Sequence, residues 1–485
     1  MKNLFYRALF LVMVILLALS NFISAQDDQK KEEKQFTNLW EGKLKISTAA
    51  LRIVLKTFNN PDGTPGAYMV SPDQGANNIP VTMITITEDS LKFTVHSIGA
   101  FYSGKINKDS ALVRGIFKQG TLILPLLFNK VEKLTEVKRP QEPKKPYPYN
   151  DEEITFENRS ANITLAGSLT HPKGEGKYPA VVLVTGSGPQ DRDETLAGGI
   201  NHKPFLVLSD YLTRNGIAVL RFDDRGIAKS KGNYAAATTE DFATDAQAAV
   251  EYLKARKEVD PKKIGIAGHS EGGLIAPIVA VNSNDVSYIV LLAGPGLPGK
   301  NILLLQAKLI SKAEGEKTEM IDKSSQLNEK IYDAVLSEEN NTVAEKKIRA
   351  LYDDFYNSLN AEEKKEADSR KQIIEQGIKQ LTKPWFRFFM KFDPRPTLEN
   401  VTVPVLALNG EKDLQVPPKE NLAEIEKALK AGGNKNFKTI LLPNLNHLFQ
   451  NCTTGSPTEY RTIEETFSLE ALKIIKDWIL EVTKR

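Results

Sequence analysis

The chain has 485 residues, 41% hydrophobic and 26% charged, which excludes a disordered or fibrous protein and leaves room for two or three cores. Lys and Arg total 64 against 61 Asp and Glu, a formal charge of +3 that is too small to imply a nucleic-acid partner. A neutral or mixed small-molecule substrate is therefore expected.

At the N-terminus, Lys2 and Arg7 precede an apolar run from Ala8 to Leu19 that ends near the small residues Ser24 and Ala25. This is a signal-peptide pattern, predicting removal of residues 1–25 and a mature chain beginning near Gln26. An uncleaved anchor is the alternative, although the apolar run falls short of the roughly 18 to 20 residues that cross a bilayer. Cys452 is the sole cysteine, so no intrachain disulfide is expected, and no cysteine follows the apolar run to accept a lipid. Export without disulfides points to a bacterial periplasm or exterior, with no stable membrane insertion once the signal is gone. The Asn-x-Ser/Thr triplets at Asn158, Asn162, Asn400 and Asn451 matter only in a glycosylating host.

Residues 36–134 carry short alternating segments such as LRIVLKTF, MITIT and LKFTVHSI, broken by turns like Asn60-Pro61-Asp62-Gly63. Five to eight strands in a small antiparallel barrel or sandwich are predicted. The stretch 135–150 packs prolines among charges with no apolar period and reads as a linker.

From residue 151 to 485, apolar runs alternate with amphipathic segments: PAVVLVTG, FLVLSDYLTRNG, IAVLRFDD, TDAQAAVEYLKARK, KIGIAGHS. That alternation predicts a mostly parallel sheet with helices on both faces. A charged segment of helical period, about 298–395, interrupts it and is expected to form a helical cap. There is no internal repeat.

Gly268-His269-Ser270-Glu271-Gly272 follows a strand and opens a helix, matching the G-x-S-x-G nucleophile elbow in its required setting. Glycines at Gly268, Gly272 and Gly273 clear room for a sharp, strained turn that lifts the Ser270 hydroxyl above the sheet. A serine hydroxyl needs a base, which in this fold comes last along the chain, after the acid. Of His96, His171, His202, His269 and His447, only His447 lies beyond Ser270. Asp413 directly follows the apolar strand Val403–Gly410, where a carboxylate can fix the imidazole tautomer; Glu411 is the rival acid.

Acyl transfer also needs donors aimed at the developing oxyanion. The Glu271 amide is one candidate; the loop Thr185-Gly186-Ser187-Gly188-Pro189 supplies another, Ser187 or else Gly188. On the cap, Trp385, Phe388 or Phe389, and Phe392 share a helical face that either walls an acyl pocket or packs the cap onto the sheet. Asp223, Asp224 and Arg225 read as a structural charged turn, and Cys452 as a small buried residue. No cofactor and no metal site is expected.

The stretches VTGSGPQDRDE, LRFDDRGIAKSKG, GHSEGG, LNGEKDLQVP and LNHLFQ together resemble a family of bacterial α/β-hydrolase carboxylesterases that carry an extra N-terminal β domain. The likeness spans most of residues 150–485. It implies a metal-free serine esterase acting on short acyl chains, with Ser270, Asp413 and His447 as its triad. Thr185 stands where many members of the wider superfamily have His, leaving the second oxyanion donor open. A peptidase or amidase with the same triad, and a binding protein with a vestigial hydrolase domain, are the alternatives.

Overall fold

The computed structural model describes residues 36–46, 49–72, 76–107, 111–120, 122–134, 137–196, 200–369 and 371–484. The expected signal peptide, 1–25, lies outside the described residues. Among those described, no helix is long and apolar enough to cross a membrane.

The N-terminal unit is one curled antiparallel sheet of β1 (Asn38–Ile46), β2 (Ala49–Asn59), β3 (Pro65–Ser71), β4 (Ala76–Pro80), β5 (Met83–Ile86), β6 (Ser90–Val95), β7 (Ala100–Asn107), β8 (Leu112–Gln119) and β9 (Leu122–Val131). Their order is β4-β3-β2-β1-β9-β8-β7-β6-β5. Nine strands exceed the expected five to eight, because β4 has the sequence ANNIP and lacks the alternation that marks a strand. Alternate side chains turn inward, and Leu55, Phe93, Tyr102, Phe117 and Phe128 build the core. The buried Tyr102 hydroxyl lies 3.1 Å from both the Val113 and Leu126 carbonyls, which spares it the cost of an unpaired polar group.

The proline-rich stretch that follows lies along the second unit. The Arg139 guanidinium donates to the Ile463 and Ile200 carbonyls. The Gln141 side chain donates to the Phe467 carbonyl and accepts from the Thr466 and Phe467 amides.

The second unit is a sheet of β10 (Asn150–Asn158), β11 (Ile163–His171), β12 (Tyr178–Val184), β13 (Ala218–Phe222), β14 (Val259–His269), β15 (Tyr288–Leu292), β16 (Val405–Gly410) and β17 (Phe437–Leu442). Its order is β10-β11-β13-β12-β14-β15-β16-β17. The β10–β11 and β11–β13 pairs are antiparallel and the rest parallel. The central strands read as unbroken apolar runs because both faces are covered. In chain order the helices are α1 (Pro204–Arg214), α2 (Thr239–Lys254), α3 (Gly272–Asn282), α4 (Gly299–Ala313), α5 (Thr318–Ser337), α6 (Asn341–Ser358), α7 (Ala361–Ser369), α8 (Lys371–Leu381), α9 (Pro384–Lys391), α10 (Arg395–Glu399), α11 (Pro418–Ala431) and α12 (Leu469–Thr483). One sheet face packs on α2, α3 and α11 through residues such as Val250, Ile275 and Leu429. The other packs on α1 and α12 through Leu208, Ile475 and Trp478. This is the expected α/β-hydrolase fold behind a β unit. Helices α4 to α10 fill the gap between β15 and β16; α4, α5, α6, α8 and α9 share a separate core that includes Leu327, Tyr332, Ile348 and Phe386, while Leu398 of α10 joins the sheet core.

Candidate active site

Strand β14 ends at His269, α3 begins at Gly272, and the intervening turn presents Ser270 with φ of 51°. A left-handed serine stores about 1–3 kcal/mol of strain, and the elbow persists because its surroundings fix it. The Ser270 amide donates to the Leu292 carbonyl at 2.8 Å, and its carbonyl accepts from the Gly273 amide at 2.8 Å. The flanking glycines are required by contact. A Cβ on Gly268 would lie 1.9 Å from the Gly272 carbonyl oxygen, and one on Gly272 would lie 2.3 Å from that of Val184. Ser270 is only partly covered, whereas His269 and Glu271 on either side are buried.

Past β16, the turn 410–413 brings in Asp413. One of its oxygens accepts from the Gln415 and Val416 amides at 2.8 and 2.9 Å; the other lies 2.8 Å from His447 Nδ1. Both side chains are nearly inaccessible. With Nδ1 donating to Asp413, the lone pair sits on Nε2. The rival, Glu411, is exposed and accepts from the Asn444 amide at 3.0 Å, so Asp413 is the carboxylate that reaches the imidazole. Asn446 shapes the turn holding His447: its Oδ1 accepts from the Leu448 and Gln450 amides at 3.0 Å each.

A second buried pair, invisible in the sequence because its members lie 75 positions apart, stands beside this one. His269 Nδ1 is 2.7 Å from Glu194 Oε1, and His269 Nε2 is 2.9 Å from the His447 carbonyl. Both partners are acceptors, so both ring nitrogens act as donors, the arrangement of an imidazolium. Burial opposes that charge, but Glu194, the His447 carbonyl and Asp413 outweigh it and raise the His269 pKa above its ordinary value. Glu194 also accepts from the Gly186 amide at 2.9 Å, joining the base loop to the loop after β12.

That loop lies against the elbow, since a Cβ on Gly186 would be 3.1 Å from Ser270 Cβ. Asp224 braces it by accepting from Thr185 Oγ1 at 2.8 Å and the Gln190 amide at 2.9 Å. The Gly186 amide is engaged by Glu194, and the Gly188 amide faces the Tyr234 hydroxyl. The other two members of the charged turn are structural too. Asp223 takes the Arg192 guanidinium at 3.0 and 2.8 Å, and Arg225 forks onto Asp245 at 2.7 and 3.0 Å.

Glu271 has a part that its place in the motif did not reveal. Its buried carboxyl accepts from Thr239 Oγ1 and from Trp385 Nε1, each at 2.7 Å, and from Ser187. Burial raises its pKa, and the three donors moderate the shift. Trp385 also stacks on Phe389 with centroids 5.2 Å apart, and it packs against both the sheet core and the cap core. The cap aromatics thus fasten the cap to the elbow at Trp385, while Phe386 closes the cap's own core. Cys452 is half-buried, and burial pushes its thiol up to about 11, away from nucleophilic use.

Residues 203–451 match the family described as serine aminopeptidase, S33, over more than half of the chain. The chain belongs to this family. As an S33 member it is also 27% identical over 308 residues to esterase EstD of Thermotoga maritima; the match spans 63% of this chain and 63% of that relative, under two thirds of its length. Similar solved structures include Est1E of Butyrivibrio proteoclasticus with ferulic acid bound, at 18% identity and TM-score 0.40, covering 68% of this chain and 100% of that one. A Pyrococcus furiosus esterase is similar at 18% identity and TM-score 0.40, covering 73% of this chain and 99% of that one.

Proposed function

We propose that this S33 member hydrolyses carboxylic esters, turning over those of short acyl chains fastest. His447 takes the Ser270 proton, the hydroxyl attacks the ester carbonyl, and the Glu271 and Ser187 amides hold the oxyanion. Water then attacks the acyl-enzyme with His447 again as base. The observation that carries this reading is the 2.8 Å contact between His447 Nδ1 and an Asp413 fixed by two backbone amides, in a loop whose His447 carbonyl meets His269, the residue before a serine on a left-handed turn. The esterase relative EstD supports an ester as the substrate class.

The test is turnover of nitrophenyl acetate and longer acyl esters by the wild type and by Ser270→Ala. Activity is expected to fall by about 10³-fold or more in the variant, with its fold intact and its labelling by a fluorophosphonate lost. Full activity in the variant would refute the assignment. The family's description as a serine aminopeptidase favours a second reading, cleavage of amides by the same three residues once the leaving amine is protonated. Aminoacyl anilides assayed in parallel separate the two, with dominance of the anilide supporting the peptidase.

We also propose export to a bacterial periplasm or exterior, on the strength of Lys2, Arg7 and the apolar run after them. The division into an accessory β domain at 36–134, a linker at 135–150 and a hydrolase domain at 151–485 with its cap at about 298–395 is part of the same proposal.

A further inference from the structure

The outward face of strands β5 to β9 has no part in the chemistry above, and its composition is unusual. Inward positions are recognisable from the core side chains Leu91, Phe93, Tyr102, Val113, Phe117, Leu126 and Phe128, so the alternate positions face away. The strand registers set them in three rows. The first runs Met83, Thr94, Phe101, Lys118, Ile123; the second runs Thr85, Lys92, Ser103, Ile116, Pro125; the third runs Ser90, Lys105, Arg114, Leu127.

Six of these 14 positions are apolar, four are cationic and none is acidic. Met83 and Ile123 are each 60% exposed, and Phe101, Ile116 and Leu127 are also among the exposed large hydrophobics. Among the described residues, Glu88 and Asp89 sit in the β5–β6 turn and Glu132 follows β9, all outside these rows. Five strands spaced about 4.8 Å apart make a platform roughly 19 Å across.

We propose that this face docks on an anionic lipid surface. Apolar side chains interspersed with cations, with no acid among them, complement a layer whose hydrocarbon lies beneath negatively charged headgroups. A folded protein partner would need acids set opposite Lys92, Lys105, Arg114 and Lys118 in one register, whereas a fluid bilayer meets them in any lateral arrangement. The hydrolase unit would then work beside a membrane, next to amphiphilic substrates that collect there.

The test is co-sedimentation of the purified full chain with vesicles of phosphatidylglycerol mixed into phosphatidylcholine, against phosphatidylcholine alone, at low and high salt. Binding is expected on the anionic vesicles and is expected to weaken with salt. Lys92→Glu with Lys118→Glu should lower it at least tenfold, since each cation near such a surface contributes about 1 kcal/mol. Met83→Ser with Ile123→Ser should lower it several-fold and leave a more salt-sensitive remainder. All four positions are outward on the sheet, so melting temperature and ester turnover in solution should not change. Equal binding to both vesicle types, or binding that neither pair of substitutions alters, would overturn the proposal. So would retention on soluble dextran sulfate without vesicle binding, or a dimer in solution that Ile123→Ser disperses.

Discussion

Trp385 Nε1 on the cap donates to Glu271 Oε1 at 2.7 Å, one residue past Ser270. The cap is thereby bonded to the elbow itself, in a buried setting where loss of a donor strands an acceptor at a cost of about 1–3 kcal/mol. Trp385→Phe keeps the ring that stacks on Phe389 and removes the N–H. It is expected to lower the melting temperature by several degrees and to reduce kcat/KM for nitrophenyl acetate severalfold. Glu271→Gln, which can still accept from Trp385 and Thr239, should be much milder; a Trp385→Phe protein with wild-type melting and kinetics would remove this role.

Asp413→Asn preserves an oxygen for the Gln415 and Val416 amides but turns an N–H donor toward His447 Nδ1. The imidazole is then forced into the other tautomer, which in a serine triad lowers kcat by about 10⁴. Glu411→Gln should leave the rate within about twofold, because Glu411 meets the Asn444 amide and not the imidazole. Rate measurements on the two variants distinguish the acids, and equal losses would contradict the geometry.

The Glu194–His269 pair carries a pH dependence. Because the folded pKa of His269 lies above its unfolded value, its contribution is complete below the unfolded pKa of about 6.5 and is lost as pH rises through the folded pKa. Glu194→Gln should lower the pH at which activity falls on the alkaline side, since His269 then loses the partner that keeps it charged and its grip on the His447 carbonyl. A pH–rate profile whose alkaline limb does not move would contradict this.

His202 works in the opposite sense. It is fully buried, its Nε2 donates to the Thr466 carbonyl at 2.8 Å, and burial first, then Arg139, pushes its pKa down to about 3. The unfolded chain therefore binds a proton that the folded chain refuses between about pH 6.5 and 3. Stability is full above that window and falls as pH drops through it, by up to roughly 1.4 kcal/mol per unit. Denaturant melts at pH 7, 5.5 and 4.5 should show a shallower decline in His202→Phe than in the wild type, whatever the variant's absolute stability.

Gly268→Ala would set a methyl group 1.9 Å from the Gly272 carbonyl oxygen and 2.8 Å from the Gly273 amide nitrogen, backbone atoms that cannot swing aside as a side chain can. Loss of soluble protein, or an abolished reaction with a fluorophosphonate in whatever folds, is the expected result.

The parts of the candidate site carried by local pattern can be picked out in the sequence. Ser270 lies where a strand period gives way to glycines and a helix, Asp413 directly follows an apolar strand, and His447 is the sole histidine after the serine. What escaped depends on contacts between distant segments. Nothing local in QDRDET shows that Glu194 meets His269, and the indole of Trp385 fits both a pocket wall and a packing surface until its N–H is seen on Glu271. The β unit was legible as a class because alternation marks each half-buried strand, but β4 hid because its residues, ANNIP, do not alternate.

Strands β15 and β16 are hydrogen-bonded neighbours, with Ile289 opposite Val405 and Leu292 opposite Leu408, although a whole helical layer separates them in the chain. The polypeptide therefore leaves the sheet and returns to it through one narrow doorway. Such an appendage can be lengthened, shortened or exchanged between relatives without re-threading the sheet beneath, which makes it the natural place for this scaffold to change its clientele.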